Sequence, residues 1–380
     1  MRSFYACLDA FPSSKGASTH IYHTLQELAS ISNCTDVFCL KGSETKELKL
    51  PDSVNVYSFS SGNKKDNYLK RAYLFSEKVF ECMENIQEPG IGQFRDIWSG
   101  LAMINRSNIK TIFEVNALTS IELPIRYPLL TENVIHEINK IEQLCLDSCH
   151  HIVTPSYLTK NYLIDNFSIP VDKISVIPNG AEILNKKEYV DHLPEKYLVY
   201  FGALQPWQGL DILLKSLYYL QDYPDLKLVI CSSVKEKYAK EYLKLCNHLN
   251  LKNKVIFLYE LEKEKLNYVV SNAIASVAPL KFGERNIVQG CCPIKILESM
   301  ANQSPLVVSD LPVTRELLND SEAYFFEPED ELDLSRCIRF ILENPEETQE
   351  KINQAYIKLK NQFTWEHHNQ KLLPIYQSLL

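Results

Sequence analysis

The chain has 380 residues, 45% of them hydrophobic and 23% charged, with a formal net charge of -8. That length suits two domains rather than one, and the composition is that of an ordinary globular protein. The acidic balance argues against a general nucleic-acid binder, and no apolar run reaches the length of a bilayer span.

The N-terminal stretch "MRSFYACLDAFPSSKG" lacks the h-region and cleavage site of a signal peptide, so a cytoplasmic protein is expected. "SFYACLDA" reads as a strand and "STHIYHTLQELASI" as an amphipathic helix. "TDVFCLKG" and "VNVYSFS" follow as strands, and "NYLKRAYLFSEKVFECMENI" as a long helix. "KTIFEVNA" is a strand, "ENVIHEINKIEQLCLDSC" a helix and "HHIVTPS" a strand. "YLTKNYLIDNF" and "KISVIPNG" then repeat the helix–strand pair. This rhythm predicts a parallel sheet covered on both faces.

The polar segment "PNGAEILNKKEYVDHLPEK" breaks the rhythm and reads as a linker. Beyond it the alternation restarts with "YLVYFGAL", "GLDILLKSLYYLQDY" and "LKLVICSS". It runs on through "KVIFLYE", "IASVAPL", a helix from Pro293, "PLVVSDL" and "AYFFEP" to helices at the C-terminus. The predicted fold class is α/β, with two doubly wound Rossmann-like domains over residues 1–182 and 183–363. Ligands of such sheets bind at the carboxyl ends of the strands, so the cleft between the domains is the place for chemistry.

The eleven cysteines are scattered and form no Cys-x-x-Cys pair. Cys145 and Cys149, followed by His150 and His151, read either as a metal site or as buried thiols on a helix. "GIGQFR" lacks the third glycine of a dinucleotide fingerprint and follows no apolar run, which argues against a nicotinamide dehydrogenase.

Three loops carry the candidate site. "FPSSKGAST" holds Gly16 and Ala17 at a helix start, an anion site by geometry or a plain strand–helix turn. "YFGALQPWQGLDILLKSL" ends a strand at Gly202 and enters a helix after Gly209. "GCCPIKILESMANQSPLVVSDLP" places Glu298 on a helix that precedes a strand. Together with "VIPNGAE" at 176–182, these motifs resemble family 4 of the glycosyltransferases, which have the GT-B fold.

The resemblance implies a retaining enzyme that moves a sugar from a nucleotide diphosphate sugar to an acceptor hydroxyl. The donor, a UDP-, GDP- or ADP-sugar, is a co-substrate held by the C-terminal domain. The acceptor sits on the N-terminal domain, and a last helix, here 364–380, packs back onto that domain. No cofactor or metal is implied, and no Asp-x-Asp ends an apolar strand. The leaving phosphate oxygen takes the acceptor proton on the same face.

The chain departs from the family pattern at three charged positions. Ala203 and Gln208 stand where an arginine and a lysine usually hold the diphosphate, and Gly290 stands for the first of two paired glutamates. Gln303 replaces a glycine before a strand. A departing diphosphate needs countercharge from fixed donors. Lys281, Glu284, Arg285 and Lys295 lie nearby in sequence, and Lys295 is one helical turn before Glu298. The expectation is a rewired site, in which Arg285 and Lys295 bind the diphosphate and Glu284 contacts donor-sugar hydroxyls. Glu298 would then bind the ribose, with Gly16, Ala17, Gly202, Gln208, Gly290, Cys291 and Cys292 around the donor. The alternatives are a solvated charged loop and a catalytically silent GT-B protein that binds a sugar nucleotide or a partner.

On the acceptor side, the resemblance implies a polar residue near the donor sugar and the reacting hydroxyl after "KTIFEVNA", with Glu114 and Asn116 as the candidates. Glu122 and Arg126 read as acceptor contacts or as a helix-surface ion pair. Arg95, beside Asp96, is an acceptor contact or part of a structural salt bridge. Lys64, Lys65, Lys70 and Arg71 interleave with Tyr68 and Tyr73, a face for peripheral membrane contact or for solvent.

Overall fold

A computed structural model describes residues 1–42, 49–60, 63, 66–183 and 186–380. Seven strands form the first sheet: β1 (Arg2–Phe11), β2 (Cys34–Lys41), β3 (Val54–Phe59), β4 (Gly90–Phe94), β5 (Ile109–Glu114), β6 (His151–Thr154) and β7 (Ile174–Val176). All pairs are parallel, in the order β3-β2-β1-β4-β5-β6-β7. The second sheet holds β8 (Tyr197–Gly202), β9 (Lys227–Ser232), β10 (Val255–Tyr259), β11 (Ala275–Ala278), β12 (Leu306–Ser309) and β13 (Tyr324–Phe326). It too is parallel, ordered β10-β9-β8-β11-β12-β13. The strand order reverses between β1 and β4, and between β8 and β11. Those reversals open crevices at the strand carboxyl ends, and the two crevices face each other.

The alternation along β1 explains why both faces of the first sheet are covered. Phe4 and Ala6 join a core with Phe38, Phe94 and Phe113, while Tyr5 and Cys7 join Val37, Ile91 and Ile112 on the other face. The second sheet repeats this, with Leu198 and Tyr200 on one side and Tyr197, Val199 and Phe201 on the other. Strands buried on both faces carry near-continuous apolar runs, as read above.

One central strand escaped that reading. β4 is Gly-Ile-Gly-Gln-Phe, with no β-branched run to mark it, yet all five residues are buried. Its glycines answer a shortage of space. A Cβ on Gly90 would come within 2.4 Å of the Arg2 carbonyl oxygen, and one on Gly92 within 3.2 Å of Met103 Sδ. Asp96 follows β4 and caps the helix Ile97–Met103, accepting from the Ser99 amide at 2.9 Å.

The chain crosses between the halves twice. Residues 177–183 leave the first sheet, and the helix Trp365–Leu379 returns to it. The Ala181 amide donates to the Phe363 carbonyl at 2.9 Å, and Ala181 bridges Thr364 in parallel. Leu372 and Tyr376 of the returning helix enter the core of the first half, and the Tyr376 hydroxyl donates to Gln93 Oε1 at 2.6 Å. Glu316 of the second half accepts from the Tyr157 and Leu158 amides of the first at 3.0 and 2.9 Å, at the start of the helix Tyr157–Phe167.

No described helix is long and apolar enough to cross a membrane. Lys64 and Lys65 lie outside the described residues. On the same face Lys70 pairs with Asp66 at 2.8 Å, and the Tyr73 hydroxyl donates to Glu77. Cys145 and Cys149 are buried free thiols, and His150 accepts from the Thr111 amide at 3.1 Å. Gln303 takes φ 53°, the left-handed conformation a glycine adopts freely.

Candidate functional site

Two adjoining cavities fill the cleft. The larger, about 630 Å³, lies between the β1–helix loop at 13–19 and the ends of β8 and β9, with Glu182, Lys263 and Glu298 in its wall. The smaller, about 280 Å³, is walled by Gly16, Ala17, Arg95 and Asn116 from the first half. Gly202, Gln208, Arg285, Cys291, Cys292, Lys295 and Glu298 line it from the second. Gly16, Ala17, Gly202 and Glu298 border both. At Gly16 the halves approach so closely that a Cβ would sit 3.3 Å from Ile294 Cδ1.

Lys295 and Glu298 share one face of the helix Ile294–Ala301, as their spacing predicts. The Lys295 ammonium lies 4.3 Å from the centroid of the Tyr200 ring and has no hydrogen-bond partner. Burial lowers its pKa from 10.5 to about 7, against the opposing pull of Cys291 and Glu298. Burial likewise raises the Glu298 carboxyl to about 7, with Lys263 and Lys295 opposing and Glu182 reinforcing the shift. Pro293 is the N-cap of this helix rather than a residue of its first turn.

Arg285 reaches the smaller cavity but is already engaged. Its Nε donates to Glu122 Oε1 at 2.5 Å and its Nη1 to the Gly290 carbonyl at 3.0 Å. Glu122 also pairs with Arg126 at 2.9 Å, and Arg126 lies over the Trp207 ring of the other half at 5.6 Å. Glu122 and Arg126 thus form a bridge between the halves and line neither cavity. Lys281 is held by Asp211 at 2.7 Å.

Two expectations are corrected. Glu284 is exposed at the start of the short helix Glu284–Ile287 and lines neither cavity, so it does not reach a donor sugar from there. Gly290 is buried at φ 81° and faces the first half. A Cβ on it would lie 2.7 Å from Ser156 Oγ and from Leu158 Cβ. It is a packing residue, and the backbone that lets the halves meet there leaves no room for a glutamate.

Glu114 is also absent from the cavity wall. It is the buried acceptor at the centre of a hub, taking hydrogen bonds from the Tyr5 hydroxyl at 3.0 Å, Gln93 Nε2 at 2.8 Å, Arg95 Nη1 at 2.5 Å and Asn116 Nδ2. His20 Nε2 lies 2.8 Å from Glu114 Oε1. Burial disfavours the charged carboxylate, but His20 and Arg95 outweigh it and hold Glu114 well below the usual range. A carboxylate so held orients Arg95 and Asn116 toward the cleft and is unsuited to be a base. Arg95 also pairs with Asp9 at 3.2 Å.

Sequence reasoning missed several wall and support residues. Asn179 lines the smaller cavity, and Glu182 lines the larger. Both lie in "PNGAE", which counts among the family motifs and opens the linker segment, with no role there for either side chain. Glu182 binds His23 Nε2 at 3.0 Å and Lys263 Nζ at 2.7 Å, which hold its pKa at about 2. His23 stacks on Trp365 with centroids 4.4 Å apart. His20 and His23 sit three residues apart at the start of the first helix, a pairing that signals a shared face.

The match to the family described as Glycosyltransferase Family 4 covers residues 14–183, and that to Glycosyl transferases group 1 covers 183–358. The O-antigen chain mannosyltransferase RfbU of Salmonella typhimurium strain LT2 is 29% identical over 205 residues, 54% of this chain and 54% of that protein. The chain spans about half the length of the curated relatives it matches. Among solved structures, sucrose-phosphate synthase from Thermosynechococcus elongatus superposes with a TM-score of 0.80 at 17% identity, over 100% of this chain and 99% of that one. Anabaena HepE in complex with UDP and glucose superposes with a TM-score of 0.74 at 15% identity, over 98% and 99%.

Proposed function

Because this chain belongs to the family 4-like glycosyltransferases of the GT-B fold, we propose that it moves a sugar from a nucleotide diphosphate sugar to an acceptor hydroxyl, with retention and without a metal ion. The observation that carries the reading is the partnerless Lys295 ammonium facing the cleft beside Glu298. A buried cation without a counterion is poised to receive an anionic ligand.

In this reading the larger cavity takes the nucleoside, with Glu298 accepting hydrogen bonds from ribose hydroxyls. The smaller takes the diphosphate and the sugar. Lys295 meets the charge that grows on the diphosphate as the glycosidic bond breaks. Arg285 braces the wall through Glu122 and Gly290, a narrower role than direct phosphate binding. Arg95 and Asn116 hold the acceptor hydroxyl close to the anomeric carbon. As its oxygen bonds to that carbon, the bond to the departing phosphate oxygen breaks, and that oxygen takes the hydroxyl proton. The likeness to an O-antigen chain mannosyltransferase favours a hexosyl donor and a surface-glycan acceptor.

The test is thermal shift against UDP-, GDP- and ADP-sugars, mannosyl and glucosyl donors among them, with and without chelator. Turnover of the donor that binds is measured next. The expected result is stabilisation by one nucleotide class, insensitive to chelator, followed by transfer or slow hydrolysis. Binding without turnover, with acceptors supplied, would move the protein to a silent nucleotide-sugar binder. A shift lost on chelation would refute metal independence.

A further inference from the structure

The acceptor-side hub and the helix that carries Lys295 and Glu298 belong to different halves, yet one unbroken line of contacts joins them. Glu114 Oε1 lies 2.8 Å from His20 Nε2. His20 Nδ1 lies 2.8 Å from Asn179 Oδ1, and Asn179 Nδ2 donates to the Cys292 carbonyl at 2.8 Å. Cys292 is two residues before the helix Ile294–Ala301. Glu114, His20 and Asn179 are all buried. His20 lines neither cavity, so its contacts serve the structure around the ligands rather than the ligands themselves.

The line fixes its own hydrogens. The Cys292 carbonyl only accepts, so Asn179 must present its amide nitrogen there and turn its oxygen toward His20. The Glu114 carboxylate only accepts as well. The imidazole Nδ1 therefore donates to Asn179 Oδ1, and its Nε2 lies against Glu114 Oε1 at 2.8 Å without a linear hydrogen bond. Arg95 shares Glu114 with it, and the rings of His368 and Trp365 stand edge-on at 5.1 and 5.6 Å.

We propose that His20 is a positioning residue that ties the Glu114 hub to the start of the donor-side helix. The inference rests on the transfer reading above. Through Glu114 it aligns Arg95 and Asn116, and through Asn179 it aligns Lys295 and Glu298. The two reacting groups then meet in one register, as catalysis demands at sub-ångström tolerance.

The first arm of the test uses the intact protein labelled with 15N in histidine, with the His20 signals assigned by their loss in His20→Gln. The His20 Nδ1 signal is expected to be that of a protonated nitrogen and to move in Asn179→Ala. A bare Nδ1, or a signal that Asn179→Ala leaves in place, would overturn the line of contacts, whatever the protein's activity. The second arm uses His20→Gln and Asn179→Ala, each shown to be folded by its melting transition. For each, kcat should fall by at least about tenfold, while donor KM stays within about threefold. The double variant should be no worse than the more damaged single one, because both cut the same line. Unchanged kcat in the folded variants, or a loss confined to KM, would overturn the positioning role. Absence of turnover in the wild type would instead count against the transfer reading, and the labelling arm would still decide the contact of His20 with Asn179.

Discussion

Replacing Lys295 by methionine should move stability and ligand affinity in opposite directions. The substitution keeps an unbranched stem against Tyr200 and removes the buried charge. A pKa lowered from 10.5 to about 7 corresponds to at most about 4–5 kcal/mol of charge burial at 1.36 kcal/mol per unit. The charge also gains from the Tyr200 ring and from Glu298, contacts that methionine loses, so a gain of about 1–3 kcal/mol on Lys295→Met is the expectation, read from urea unfolding at pH 7. The nucleoside diphosphate should bind more weakly by about 1.5–3 kcal/mol, roughly tenfold to a hundredfold in Kd, because a charge-assisted contact is lost. The pH dependence gives a second reading. Between about pH 7 and 10.5 the unfolded chain keeps a proton that folded Lys295 has released, so wild-type stability gains with rising pH there. Between 4.5 and about 7, folded Glu298 keeps a proton that the unfolded chain has released, and stability falls as pH rises. The pair therefore contributes least near pH 7. Lys295→Met should show the fall without the recovery. A variant that is less stable than wild type at pH 7 and binds the diphosphate equally well would refute the reasoning.

Three further outcomes follow from the same geometry. Gly290→Glu, which restores the missing glutamate, should lower stability by about 2–4 kcal/mol in thermal unfolding and not raise turnover. Its Cβ has no space at φ 81° against Ser156 and Leu158. Glu122→Gln weakens the half-buried contact to Arg285, whose side chain is 14% exposed. It should cost about 1–3 kcal/mol and enlarge the radius of gyration in solution scattering as the halves part. Glu284→Gln should leave donor affinity and turnover within about twofold of wild type, since an exposed carboxylate outside the cavities touches no ligand.

The architecture was legible because buried parallel strands write long apolar runs, and "SFYACL", "YLVYF" and "LKLVIC" are such runs. β4 was not, because close packing selected glycines, the residues that usually mark turns. In the site, Lys295 and Glu298 could be paired from helical spacing alone, and Gly16 and Gly202 from their places at strand ends. Local charge was a poorer guide. Arg285, Glu122 and Lys281 found partners far away in sequence, at separations no local pattern encodes. His20 and Asn179 were invisible for the same reason, since 159 positions separate them. Proximity of charges in a sequence names the ingredients of a pocket, and only tertiary contacts say which are already spent.

The double crossing at Ala181 and Thr364 has a mechanical consequence. Two chain segments run side by side there, clipped by the Ala181 hydrogen bond to Phe363. The Gly180 Cα lies so near Trp365 that a Cβ would approach its amide nitrogen to 2.5 Å. Paired segments of this kind resist shear and stretch more than they resist twist, so they behave as an axle. Opening is then a swing about that line, and displacement grows with distance from it. His20, whose ring lies 5.6 Å from that of Trp365, and Asn179, next to Gly180, sit beside that line, while Glu122–Arg285 and Glu316–Tyr157 tie the halves together elsewhere.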